Sequence, residues 1–370
     1  MKGIGLKDWV KEKLDRIDEL FPGERICRAK KRLTDLWNGV PAIDRHTFTQ
    51  AMFLFNYYND IHTAEERLRF SLDEILMRGY INDDFIPSIF PGCKMSSVPS
   101  MFGDFSGEKV INTESDIDNF PDPIISHGST ARDWLDMQKY FLEETEGRLP
   151  IHVTDTQGPS DIVGQMWGYD NMFAAAYEEP ENYHKIMSKV TEAVIVLWNE
   201  QKRLLGDNLV PTHLFGWSWV PHGNGITLSA DSIVMVSPTF FDEYYKPYFD
   251  IINKEMGWLT IHSCGDFSHI IKALNEIPYI KAINAGEMTI PQIVNAGLDN
   301  KTIAIASSGI DNIRESFDAI RNNNLSVDLS VYGIWPIIDG KAVKLDDMTN
   351  TLWHEMKERE QKIVEAASVK

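Results

Sequence analysis

The chain has 370 residues, of which 43% are hydrophobic and 25% charged, and its formal net charge is −19 at pH 7. This length is sufficient for one large domain with a sizeable buried core. The acidic composition argues against a broad surface for nucleic-acid phosphates, because such surfaces need clustered Lys and Arg. No phosphate-binding loop, dinucleotide-binding glycine motif or hydrolase nucleophile elbow occurs.

The cysteine content and the first twenty residues favour a cytoplasmic location. Cys27, Cys93 and Cys264 are too few for a disulfide framework, and no Cys-x-x-Cys occurs. The first segment, MKGIGLKDWVKEKLDRIDEL, reads as a charged amphipathic helix without the apolar core of a signal peptide. No run approaches the roughly 18–20 apolar residues that cross a membrane. We therefore expect a cytoplasmic protein.

The first part of the chain is helical in pattern. Leu14, Ile17 and Phe21 recur at helical spacing, and the segment 64–80 ends near Gly79. We therefore expect residues 1–80 to form an N-terminal helical region and residues 81–370 to form a separate catalytic domain.

From residue 81 onward, short apolar runs alternate with longer helical stretches, which is typical of a parallel sheet built from βα units. A (β/α)8 TIM barrel with an N-terminal helical extension accounts for this pattern, and its active site is expected at the carboxyl ends of the strands. The expected strands are 85–91, 149–155, 209–216, 232–237, 258–264, 279–285, 302–307 and 329–335. The expected helices are 180–206, 237–257, 268–277, 311–323 and 346–370.

The fifth expected strand ends in His262-Ser263-Cys264-Gly265. Strand side chains alternate, so His262 and Cys264 should face the same side. An imidazole and a thiolate presented together suit zinc. The alternative is structural, with Cys264 a small buried hydrophobe and His262 a hydrogen-bonded strand end.

Two long runs resemble the uroporphyrinogen decarboxylase superfamily. They are SPTFFDEYYKPYFDIINKEMGWLTIHSCGDFSHIIKAL (237–274) and TDTQGPSDIVGQMWGYDNMFAAAYEEPENYHKIM (154–187). The resemblance implies a (β/α)8 barrel over residues 80–360. It also implies one of two activities, tetrapyrrole decarboxylation or zinc-dependent methyl transfer to or from a corrinoid protein.

The chain departs from both branches of that superfamily. Decarboxylases carry an arginine-rich motif, whereas the equivalent segment 38–48 has one arginine. Methyltransferases take a second zinc-binding cysteine from the eighth strand, whereas 331–337 has none. Glu287, at the end of the sixth strand, is the expected third ligand. Cobalamin-independent methionine synthase looks similar here, with a Glu ligand on the strand after His-x-Cys. The alternative role of Glu287 is a favourable charge at a helix N-terminus.

Other strand-end residues are candidates for catalysis or substrate binding. His222 and Asp231 are reserve ligands or proton-transfer groups, and Asp155 is placed to contact the substrate; turn chemistry is the alternative for each lone residue. Aromatic side chains near strand ends are together expected to wall an apolar pocket, although each alone is more often explained by packing. The expected pocket residues are Gln157, Trp167, Trp217, Trp219, Tyr332 and Trp335.

These features predict a zinc-dependent methyltransferase that moves a methyl group from a small substrate to the Co(I) of a separate corrinoid protein. A carboxylate in place of a second thiolate makes a harder Lewis acid, which favours an O-methyl donor such as an aryl methyl ether. Two alternatives remain. One is a metal-free decarboxylase, and the other is a barrel that binds a corrinoid or porphyrin without turnover.

Overall fold

A computed structural model describes residues 7–50, 63–92, 97–103, 109–212, 219–221, 225–339 and 341–369. Three helices dominate the first part: α1 (Asp8–Leu20), α2 (Gly23–Trp37) and α3 (Ala64–Gly79). Apolar side chains of α1 and α3 pack together in one buried cluster. At the start of α3, Thr63 and Glu66 form a reciprocal capping box, which satisfies amides that have no partner within the helix.

A six-stranded parallel sheet lies at the centre of the molecule. Its spatial order is β1-β8-β7-β6-β5-β4. Both faces are buried, as is typical of parallel strands covered by helices. The strands are β1 (Phe48–Gln50), β4 (Ile226–Ser229), β5 (Leu259–Ser263), β6 (Ile280–Ala285), β7 (Ile303–Gly309) and β8 (Val327–Tyr332). Because β1 pairs with β8, the expected N-terminal helical region also contributes a strand.

A second parallel pair, β2 (Ile151–His152) and β3 (Leu209–Val210), lies between the two edges of this sheet. Gln157, just after β2, bridges Ser229 of β4, and Ile89 bridges Ile151. The Asp84 amide donates to the Phe48 carbonyl of β1 at 3.0 Å. Backbone contacts thus run from one sheet edge to the other. The fold is mixed α/β, as predicted, and these contacts are consistent with a TIM-barrel-like arrangement.

Helices cover the sheet and bury its apolar side chains against their own. Among the described residues, no helix combines the length and apolar character that crossing a membrane requires. The further helices are α4 (Glu114–Asp118), α5 (Thr130–Glu144), α6 (Pro159–Trp167), α7 (Tyr169–Glu178), α8 (Pro180–Leu205), α9 (Pro238–Phe240, Phe241–Tyr245 and Lys246–Met256), α10 (Ser268–Asn275), α11 (Ile290–Ala296), α12 (Ile313–Asn322) and α13 (Asn350–Ala367). A short hairpin, β9 (Ile337–Ile338) and β10 (Lys341–Ala342), follows β8.

Two expected strands are not formed as predicted. The segment 232–237 is wrong as a strand, because Asp231–Met235 is a 3-10 helix and the strand is β4, just before it. The backbone amides of Asp231 and Ser232 both donate to the buried Asp161 carboxylate. Two consecutive amides that donate to one carboxylate are incompatible with an extended strand, in which they point to opposite sides. The segment 85–91 does not form a continuous strand, and of its residues only Ile89 forms a β-bridge, to Ile151.

Helix α9 is irregular at its centre, where Phe241–Tyr245 is π-helical. Pro247 lies two residues after Tyr245 and has no amide hydrogen, so it cannot donate in the α-helical hydrogen-bond ladder. The Tyr183 hydroxyl donates to the Tyr244 carbonyl at 2.9 Å and so satisfies it from outside the helix. The neighbouring Tyr245 hydroxyl donates to Ser232 Oγ at 3.1 Å, next to Asp231.

Buried carboxylates anchor β1. The amides of Gln50 and Phe48 donate to Asp83 and Asp84 at 2.8 and 3.2 Å. Asp84 also lies 3.0 Å from an Arg45 guanidinium nitrogen. These contacts fix the amino-terminal part of the molecule to the sheet.

Candidate metal centre

His262 and Cys264 lie together at the carboxyl end of β5. The Cys264 Sγ is 3.4 Å from His262 Nε2, and the two side chains lie on the same side, as the alternation of strand side chains predicts. His262 is 8% exposed, whereas Cys264 is exposed to solvent. Gly265 has φ +82°, so the chain turns away directly after the thiol in a conformation that favours glycine.

Asp231 approaches the same two side chains from the end of β4. The preceding Ala230 amide donates to the His262 carbonyl at 2.7 Å, which fixes the two chain segments together. The Asp231 Oδ1 accepts the Cys264 amide at 2.7 Å and lies 3.9 Å from His262 Nε2. One nitrogen, one sulfur and one oxygen ligand atom therefore lie within 4.8 Å of one another.

Asp161, at the start of α6, holds Asp231 in place. Its carboxylate accepts the amides of Asp231 and Ser232 at 2.6 and 2.9 Å. Burial raises the pKa of Asp161 to about 7, and the Asp231 charge adds to this effect. The backbone at Asp231 is thus fixed by a carboxylate that is not itself part of the group.

The electrostatic environment of Cys264 is acidic. Burial, followed by the charges of Asp231, Glu287 and Asp155 in that order, raises the pKa of its thiol to about 11. Without a bound cation, this thiol is protonated at neutral pH. A divalent cation supplies the positive charge that the thiolate form needs.

The three groups fit a zinc ion. Imidazole nitrogen, thiolate sulfur and carboxylate oxygen are all common zinc ligands, and catalytic zinc sites have three protein ligands with one position left for water or substrate. Asp231 is 39% exposed at its side chain, so the group opens towards solvent. A substrate heteroatom can therefore reach a metal held here.

The structure places the other polar candidates differently. Glu287 is exposed on the loop after β6 and influences the Cys264 thiol, but it is not a member of the group within 4.8 Å. Asp231, predicted as a reserve ligand or proton-transfer group, lies within 4.8 Å of His262 and Cys264. Asp155 accepts a hydrogen bond from the Ser229 hydroxyl at 2.9 Å. Ser229 of β4 is the strand-register partner of His262 on β5. His222 lies outside the described residues.

The expected aromatic wall is not assembled as a continuous surface by the described side chains. Trp335 is 2% exposed, donates its indole N–H to the Val343 carbonyl at 2.8 Å, and packs in the core. Trp167 is also in the core, and Trp219 packs against α2. Of this set, Tyr332 is exposed at the carboxyl end of β8.

Gln157 and Trp217 complete the predicted pocket set. Gln157 is buried and accepts a hydrogen bond from the side chain of Gln165. Trp217 lies outside the described residues. Single aromatic residues in a sequence do not distinguish a pocket wall from core packing, because both bury the ring.

Two residues of this site were missed by the sequence interpretation. Asn284 of β6 faces His262, and Asp161 anchors Asp231. Asn284 stands in register with His262 on the neighbouring strand, and this register is set by strand pairing and not by the local sequence. Nothing in the local sequence distinguishes Asp161 from any acid in the first turn of a helix.

No family model matches the chain, and no curated protein matches it. Solved structures with a similar fold do exist. One is a methyltransferase from Methanosarcina mazei, with a TM-score of 0.60 and 13% sequence identity, covering 92% of this chain and 98% of that chain. At this identity the match shows a shared fold over nearly the whole length of both chains.

Proposed function

We propose that this protein is a zinc-dependent methyltransferase of TIM-barrel type, in which Asp231, His262 and Cys264 hold the metal. The observation that carries the proposal is the convergence of nitrogen, sulfur and oxygen ligand atoms within 4.8 Å at the ends of β4 and β5. Active sites of (β/α)8 enzymes lie at that end of the sheet. The fold similarity to a methyltransferase supports the same activity.

Asp231 supplies the ligand that a second cysteine provides in zinc methyltransferases of the resembled superfamily. Its Oδ1 already lies against the Cys264 amide and near His262 Nε2. Glu287, the ligand expected from sequence, is the alternative, because it lies close enough to affect the Cys264 thiol. Both choices give the same ligand types and the same total charge.

The proposed reaction transfers a methyl group from a small donor to the Co(I) of a partner corrinoid protein. Co(I) provides the electron pair of the new Co–C bond and becomes methyl-Co(III). The bond between the donor heteroatom and the methyl carbon breaks, and the heteroatom keeps that electron pair and takes up a proton. Bound zinc supplies Lewis acidity towards the heteroatom. The protein holds the donor beside Asp231, His262 and Cys264.

We propose an O-methyl donor, with an aryl methyl ether as the first choice. A carboxylate ligand in place of a second thiolate makes the metal harder and better suited to oxygen. The negative charges of Asp231, Glu287 and Asp155 disfavour an anionic donor, since like charges repel in a partly buried site. The ligand set supports the oxygen donor, whereas Trp167 and Trp335 lie in the core and do not contribute to the choice of an aryl group.

The test combines metal analysis with a methyl-transfer assay. Purified protein is expected to bind one zinc per chain and to form methylcobalamin from free cob(I)alamin and a methoxyarene. Methylamines, methylthiols and methanol serve as competing donors. Cys264→Ala should lose zinc and transfer, whereas Cys27→Ala, which changes an exposed thiol on α2, should retain both.

Two results would contradict the proposal at different levels. Methyl transfer from methylamines or methylthiols, with none from methoxyarenes, would reject the donor and keep the enzyme class. Protein that binds no zinc and consumes a carboxylic acid would reject the class and favour decarboxylation.

A further inference from the structure

Asn284 contacts the imidazole of His262 from the next strand. His262 of β5, Asn284 of β6 and Ile305 of β7 are partners in the strand register. Asn284 is 2% exposed, and its side-chain oxygen lies within hydrogen-bond distance of His262 Nδ1. Its side-chain nitrogen donates to the Ile305 carbonyl at 3.0 Å.

These two contacts determine the orientation of the Asn284 amide. The Ile305 carbonyl only accepts hydrogen bonds, so the NH₂ group of Asn284 must face it. Rotating the amide by 180° would place two oxygen acceptors against each other in a buried position, which costs a hydrogen bond and adds repulsion. The amide oxygen therefore faces His262.

The amide oxygen in turn determines which nitrogen of His262 carries the proton. An amide oxygen has no proton to give, so His262 Nδ1 must donate. In the neutral ring, the lone pair then lies on Nε2. That atom is 3.4 Å from Cys264 Sγ and 3.9 Å from Asp231 Oδ1.

We propose that Asn284 is a positioning residue that holds His262 in the Nδ1–H tautomer, with Nε2 directed at the metal. The metal part rests on the proposed function, whereas the tautomer is a property of the protein alone. Gly286 confines the ring from another side, because a Cβ there would lie 3.2 Å from His262 Cε1. Hydrogen bonds of this kind typically change metal affinity about 10–100-fold.

Two variants and a matched control separate this role from general packing. Asn284→Leu removes both hydrogen bonds at similar volume, whereas Asn284→Asp keeps an acceptor for Nδ1–H and loses the donor to the Ile305 carbonyl. Thr260→Val is the control, since Thr260 lies on the same face of β5 two residues before His262. It is fully buried, and its hydroxyl has no hydrogen-bond partner among the described residues.

The first measurement is ¹⁵N NMR of metal-free full-length protein labelled at histidine, with the His262 signals assigned by their loss in His262→Gln. Wild type, Asn284→Asp and Thr260→Val should show the Nδ1–H tautomer. Asn284→Leu should lose this preference. The second measurement is zinc affinity by chelator competition, expected to fall about 10–100-fold in Asn284→Leu and to recover in Asn284→Asp.

The outcomes distinguish this proposal from the proposed function. An Nε2–H tautomer in wild type would overturn the role of Asn284 whether or not zinc binds. Unchanged tautomer and zinc affinity in Asn284→Leu would do the same. If Asn284→Leu does not fold, wild type and Asn284→Asp still decide the tautomer. A wild-type Nδ1–H tautomer without zinc binding would overturn the metal centre and leave the tautomer standing.

Discussion

Two groups of carboxylates in this protein have opposite electrostatic surroundings. Beside β1, Asp83 lies 3.4 Å from Arg25, and Asp84 lies 3.2 and 3.0 Å from Arg32 and Arg45. At the candidate metal centre, no Lys or Arg of the described chain forms an ion pair with Asp231 or Glu287. The first group has its positive charge built into the protein.

This difference distinguishes a structural role for the first group from the metal-binding role proposed for the second. Asp83 and Asp84 are fully buried and accept strand amides, so their charges are balanced by arginine when the protein folds. Asp231 is partly exposed beside a thiol and an imidazole, and a bound cation would supply the positive charge that no Lys or Arg of the described residues provides there. Changes in the first group should therefore affect stability, and changes in the second should affect metal binding.

The largest effect on the metal centre is expected for His262→Ala. Loss of one of three ligands should weaken zinc binding by more than about 100-fold and abolish methyl transfer. Zinc content after dialysis measures this. The control is His269→Ala, which removes an imidazole bonded to the Val236 carbonyl from the following helix, α10. Stoichiometric zinc in His262→Ala would show that the imidazole is not a ligand.

The largest effect on stability is expected for Asp84→Ala. It leaves Arg45 buried without its partner, which typically costs about 3–5 kcal/mol in the free energy of unfolding. Urea denaturation measures the loss, and the folded protein should still bind zinc. A loss of zinc at full stability would reverse the roles assigned to the two groups.

A pH-dependent effect is expected from Glu74, another buried carboxylate, which pairs with Arg78 on α3. Burial raises the pKa of Glu74 to about 7, against an ordinary value of 4.5. Between these values the folded state keeps a proton that the unfolded state has released. The free energy of unfolding should therefore fall as pH rises through this window, by up to about 1.4 kcal/mol per pH unit.

Glu74→Gln should remove that slope, because glutamine does not titrate. Urea denaturation at several pH values between 4.5 and 7 compares the variant with wild type. An identical pH dependence in both proteins would show that Glu74 remains ionised when buried.

A smaller effect is expected for Asp231→Asn. The amide oxygen can still accept the Cys264 amide, so the local backbone should hold, but the ligand loses its charge. Zinc affinity should fall about 10-fold, and Glu287→Gln should change it less. Chelator competition measures both. If Glu287→Gln has the larger effect, the third ligand is Glu287, as the sequence suggested.

The sequence by itself determined the features that depend on neighbouring residues. Alternation along β5 and into the residue that follows it predicts that His262 and Cys264 lie on one face, as they do. The long helix Pro180–Leu205 and the strands β5 to β8 follow local periodicity and turn residues. The α/β class follows from the alternation of such elements.

Tertiary structure alone decided which distant residues meet at the end of β5. Asp231 reaches Cys264 because Asp161, seventy positions earlier in the chain, turns its backbone. Asn284 contacts His262 because the two residues are partners in the strand register. Trp335 is buried because core side chains pack around its ring. Ligand selection and burial are properties of contacts between separate elements, and local periodicity carries no information about which element lies opposite.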